Sequence, residues 1–193
     1  MNRHLLTSSQ TVGPFFAPAL LREDAVRNLL VQPETVGERV RIEGRVLDGD
    51  RLPVPDGLVE IWQANAHGRY HHPADSGPAT LDPSFVGFGR SGTENEGLYW
   101  FETIKPGPVP FDHERWQTPH ICVTVFARGL LNHLVTRLYF AGEPANARDP
   151  ILLSVPEHRR ATLLAARQQK GTSVVYLFDI ILQGEGETAF FNV

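Results

Sequence analysis

The chain has 193 residues, a formal net charge of −4 and a single cysteine. That length fits one domain better than two; the acidic balance argues against a nucleic-acid-binding face, and a lone thiol excludes an internal disulfide and gives no sign of an oxidising compartment. No apolar run reaches the length of a membrane-spanning helix and the N-terminus lacks a signal-peptide core, so a cytoplasmic protein is the default expectation.

In chain order, "SQTVGPFF" (9–16) reads as extended or turning, because Gly13 and Pro14 break a helix. "LREDAVRNLLV" (21–31) is predicted to form a short helix. The period then changes to two. "VRIEGRVL" (40–47) alternates apolar and charged residues, as a strand with one wet face does, and "DGDRLPVPDG" (48–57) is dense in turn residues. Further strands are predicted over "LVEIWQAN" (58–65), "LYWFETI" (98–104), "HICVTVFAR" (120–128), "HLVTRLYF" (133–140) and "SVVYLFDIIL" (173–182). One other helix is predicted over 156–171, with Pro156 at its start and Gly171 past its end. Loops are expected at 66–97, 105–118 and 141–155, and loops of that length usually carry function or an interface. The expected fold is mostly β: an antiparallel β-sandwich core with long loops and one or two short helices.

The chemistry-bearing residues form no familiar motif. There is no HExxH, no phosphate-binding glycine loop, no G-x-S-x-G elbow and no evident pair of carboxylates for acid–base work. His71 and His72 are adjacent, so in extended chain their rings diverge. The one constellation with metal-like spacing is His120 and Cys122, two apart on a predicted strand and so on one face. A thiol in that place is unusual.

Several stretches together resemble the intradiol ring-cleavage dioxygenases: "NAHGRY" (65–70), "LDPSFVGFGRSGTENEGLYWFETIKPGPVP" (81–110) and "WQTPHICVTVFARGLLNHLVTRLYFAGEP" (116–144), with "SQTVGPFF" near the start and "FDIILQGEGETAFF" (178–191) near the close. The resemblance runs over nearly the whole chain and implies one β-sandwich domain, 1–193, in which residues 1–39 form an N-terminal extension packed on a partner subunit. It also implies a ferric ion held by two tyrosines and an H-x-H pair. Those positions fall on Tyr70, Val109, His120 and Cys122, and Gln117 stands where the family carries an arginine. Valine has no donor atom, and a thiolate is soft beside the hard phenolate–ferric pairing. The expectation is therefore a lost metal site: no metal and no catalytic residue in this chain, and Fe(III) in a beta-type partner of a hetero-oligomer. By the same resemblance, Thr11, Gly13 and Pro14 would wall the partner's substrate pocket and Arg128 would meet a small aromatic acid there. The rival readings are a rebuilt metal site using Tyr70, His120, Cys122 and either His71 or His72, and a stand-alone binding module without chemistry.

Overall fold

A computed structural model describes Gly13 and residues 19–192. Its strands, in chain order, are β1 (Arg39–Leu47), β2 (Leu58–Trp62), β3 (Phe88–Gly92), β4 (Leu98–Ile104), β5 (Val109–Pro110), β6 (Trp116–Gln117), β7 (His120–Phe126), β8 (Leu134–Phe140), β9 (Leu164–Lys170), β10 (Ser173–Leu177) and β11 (Ile180–Ile181). β1 shows why the alternation reads as strand: Val40, Ile42, Gly44 and Val46 are buried and the residues between them are not. β7 repeats the device, with Ile121, Val123 and Val125 turned into the core.

Hydrogen bonding runs in one path, β11-β1-β10-β9-β8-β7-β2-β3, with β4 also on β1, while β5 and β6 form a separate small hairpin. The ladders β1–β4, β2–β3, β2–β7, β7–β8 and β9–β10 are antiparallel. Three are parallel: β1 with β10, β1 with β11, and the end of β8 with the start of β9. Apolar residues of β1 and β4 meet those of β2, β7 and β8 in one buried cluster, so the two halves of the path face each other as the layers of a sandwich. No described helix is long and apolar enough to cross a membrane.

Three expectations need correction. Residues 21–31 are a turn followed by extended chain, not a helix: Arg27 exchanges backbone hydrogen bonds with Arg90, and Leu30 and Asn28 bond to Glu102, so tertiary pairing overrides local propensity. The helix over 156–171 exists only as Glu157–Arg160 and a 3₁₀ turn, Ala161–Leu163. From Leu164 the chain is β9, and Gly171, at φ 61°, makes the hairpin turn into β10 rather than ending a helix. The loop 66–97 contains β3, and the loops 105–118 and 141–155 contain the β5–β6 hairpin and the helix Pro150–Ser154.

β3 was hidden by its glycines, which ordinarily weaken a strand. Here one is required. A Cβ on Gly89 would stand 2.9 Å from side-chain atoms of Ile61, Leu30 and Phe101. Gly89→Ala is therefore expected to lower stability by about 1–3 kcal/mol through overpacking, read as a drop in the urea midpoint at unchanged m-value.

Candidate functional site

β2, β7 and β8 carry a second face, away from the sandwich core. Register aligns Trp62, Cys122 and Arg137 across the three strands, and His120 with Tyr139 beside them. Residues two apart share a face, so His120 joins Cys122 and Tyr139 joins Arg137 on that outer surface.

Tyr70 arrives from the loop after β2. Asn65 organises that loop: its side-chain oxygen accepts from the backbone N–H groups of His67 (2.9 Å) and Arg69 (3.0 Å), and its amide donates to Thr80 (2.8 Å). The backbone N–H of Tyr70 donates to Asp75 at 2.8 Å. Gly68, at φ +80°, lets the loop press against Pro108: a Cβ there would fall 1.9 Å from that residue's carbonyl oxygen. Tyr70 then stacks on Trp62, ring centroids 5.8 Å apart. The same contact brings the Tyr70 loop beside the start of β5, where Val109 is buried and pairs with Gln117 of β6.

Arg137 ties these parts together. One guanidinium nitrogen donates to Gln117 Oε1 at 2.6 Å, and Gln117 Nε2 donates to the Pro110 carbonyl at 3.2 Å. The positive charge acts on Tyr70, His120, Cys122 and Tyr139 alike. Burial is the larger influence on each: it pushes the Tyr70, Tyr139 and Cys122 groups above their ordinary values and keeps them protonated.

His120 is buried, its Nδ1 bonded to the Thr118 carbonyl at 2.8 Å. Burial first and the Arg137 charge second bring its pKa down to about 4. A histidine depressed in the folded state but ordinary in the unfolded one binds fewer protons when native. Its contribution to stability is complete above about pH 6.5 and is lost as pH falls toward 4. The urea midpoint should fall over that window, and His120→Gln should flatten the dependence; equal slopes in both proteins would refute the assignment.

Behind the site lies a carboxylate that sequence reading missed. Asp149 is fully buried. It accepts from the backbone N–H of Thr118 (2.7 Å), the hydroxyl of Tyr139 (3.1 Å) and the N–H groups of Ile151 (2.9 Å) and Leu152 (2.7 Å). It thus caps the helix Pro150–Ser154 and fixes the entry of β7 together with Tyr139. The only sequence signal was "DP" at 149–150, an N-cap followed by a proline.

The structure gathers Tyr70, His120, Cys122 and Gln117 around Arg137, with Val109 opposite Gln117. It does not bring His71 or His72 into the group. Both are exposed; His71 Nδ1 lies 3.3 Å from the Phe85 carbonyl, and His72 accepts from the Ala74 N–H. Among the described residues no three of His, Cys, Asp and Glu converge as a metal group would. Cys122 is half-buried on the outer face rather than in the core. Arg128 lies beyond the far end of β7 from His120, 73% exposed, in an ion pair with Asp56. Gly13 is exposed, with nothing within 4 Å of a Cβ placed on it. Thr11 and Pro14 lie outside the described residues.

Tested against a ferric centre, the donors do not fit. Of the four expected positions, Val109 has no donor atom and Cys122 offers a soft sulfur, which leaves Tyr70 and His120 beside the Arg137 guanidinium, and such a set offers a hard trivalent ion little.

The chain matches the family model described as Dioxygenase over residues 11–184. It is 43% identical to the protocatechuate 3,4-dioxygenase alpha chain of Burkholderia cepacia, over 97% of both proteins. It is 42% identical to the beta chain of the same organism, over 87% of this chain and 74% of that one. Among solved structures, the dioxygenase domain of a dioxygenase–carbohydrate-binding fusion from Streptomyces sp. SirexAA-E superposes with a TM-score of 0.64 at 30% identity, over 85% of this chain and 89% of that one.

Proposed function

This chain belongs to the intradiol ring-cleavage dioxygenases, and from that premise we propose that it is the iron-free alpha-type subunit of a protocatechuate 3,4-dioxygenase. A beta-type partner would carry Fe(III), and the pair would cleave protocatechuate with O2 to 3-carboxy-cis,cis-muconate. In the partner, the ferric ion supplies the centre at which a bound catecholate becomes reactive toward O2. One observation carries the reading: in a chain so similar to an alpha chain from end to end, position 109 is a buried valine and position 122 a protonated thiol, leaving Tyr70 and His120 as the sole hard donors of the expected four.

This chain's share is packing, pocket shape and charge. Arg128 is the side chain suited to a planar carboxylate, because a guanidinium presents paired donors in one plane. It stands exposed, and Leu131 in the same turn is 70% exposed, an apolar surface that a partner would cover. Thr11, Gly13 and Pro14 would approach the partner's pocket from the N-terminal segment, 1–193 would form one domain, and the extension 1–39 would pack on the partner where it is not held by this chain's own β3 and β4, as Arg27 and Leu30 are.

The test is co-expression. Purified with a beta-type chain, this protein should co-elute in a hetero-oligomer that consumes O2 on protocatechuate, and purified alone it should consume none. Equal O2 uptake by the chain alone would favour the rebuilt-site reading instead.

A further inference from the structure

We propose that the Arg137 guanidinium is a resident cation occupying the heart of the lost metal site, and that it bars a metal ion from this chain independently of the missing ligands. The inference rests on reading the chain as an iron-free member of its family, and goes beyond that reading by naming a second, separable cause.

Three observations carry it. The first is position. Arg137 stands directly across from Cys122, and the next pair on that face of the two strands is Tyr139 and His120. Trp62, on which Tyr70 stacks, completes the row on the far side of Cys122. A side chain rising from that point on β8 is bordered by both strand-borne positions of the constellation, and its charge is felt by Tyr70 as well. The second is anchoring. The guanidinium is held by Gln117 Oε1 at 2.6 Å, and Gln117 is itself fastened to the Pro110 carbonyl in the β5–β6 hairpin, across from Val109. The cation is thus fixed by the segment that bears the third constellation position. The third is charge balance. Arg137 is half-buried, and no described carboxylate forms an ion pair with it. Its acceptor on Gln117 is neutral, and the one buried carboxylate nearby, Asp149, is reached only through the Tyr139 hydroxyl, so the guanidinium repels a second cation brought among the same groups. For a trivalent ion at a few ångströms in a partly desolvated site, that repulsion opposes binding even when the two ligands are restored.

A neutral filler would leave the Gln117 oxygen without the guanidinium donor that now holds it.

The experiment starts from the full-length chain with the missing ligands restored, Val109→Tyr with Cys122→His. On that background position 137 is left as arginine or changed by Arg137→Lys, Arg137→Gln or Arg137→Met. Each protein is titrated with ferric nitrilotriacetate, and iron per folded chain is read by elemental analysis and by the phenolate-to-ferric absorption band, with near-ultraviolet circular dichroism giving the folded fraction. The arginine and lysine proteins are expected to stay colourless and iron-poor. The glutamine and methionine proteins are expected to take up iron at least about a hundred-fold more tightly.

Iron uptake by the arginine protein equal to that of the glutamine or methionine protein would overturn the proposal, as would a lysine protein that behaves like the glutamine one. Folded glutamine and methionine proteins that both refuse iron would overturn it too, while leaving the iron-free reading intact. Stoichiometric iron in the unmodified chain would instead remove the reading on which the proposal rests, so the two failures are distinguishable.

Discussion

Replacing Arg128 with alanine in the assembled complex is expected to raise KM for a substrate bearing a ring carboxylate by roughly ten- to a hundred-fold, with iron content and assembly unchanged. The magnitude follows from a hydrogen bond to a charged group, about 1.5–3 kcal/mol, and from about 1.4 kcal/mol per tenfold in affinity. In the isolated chain this guanidinium already has a partner in Asp56, but at 73% exposure the pair is worth little and a buried substrate carboxylate would displace it. On that proposal Asp56 would hold the guanidinium only until substrate arrives. Asp56→Asn should therefore change KM only a few-fold. Plain catechol, which lacks the carboxylate, should be nearly indifferent to Arg128→Ala. Equal losses on both substrates would mean that Arg128 shapes the interface and does not read the anion.

The second large effect is on stability. Asp149→Ala is expected to cost at least about 3 kcal/mol, because it strands several buried donors at once: the Thr118 N–H, the Tyr139 hydroxyl and the first amides of the helix Pro150–Ser154. For a chain of this size each kcal/mol moves the unfolding midpoint by roughly 2–4 °C, so Tm should fall by about 6–12 °C. Asp149→Asn keeps an oxygen that can still accept from Ile151 and Leu152, and should cost about half as much. The loss should also reach the site, since Asp149 holds both Thr118, whose carbonyl faces His120, and Tyr139. Differential scanning calorimetry decides the matter. A shift under about 2 °C for Asp149→Ala would mean that these donors find other partners.

What could be read from the sequence follows from where each signal resides. β1 and β7 declare themselves by alternation, because a strand with one buried face must alternate. β3 does not, since the glycine it needs at position 89 is demanded by Leu30 and Phe101, residues distant in the chain. β9 reads as a helix from the sequence because Pro156 and Gly171 punctuate one correctly, and only its pairing with β10 shows otherwise. In the site, His120 and Cys122 are local neighbours and were visible as a pair. Arg137 and Tyr139 were not, because their place opposite that pair is set by the register of β7 on β8, which no single strand encodes. Asp149 was missed for a related reason: its four donors come from three separate segments.

Iron content separates an iron-free subunit from a metal-bearing one most directly. The full-length chain, purified alone from iron-replete cells, should contain far less than stoichiometric iron and show no phenolate-to-ferric band, while its complex with a beta-type partner shows both. A near-stoichiometric iron content in the chain alone, accompanied by that band, would contradict the account.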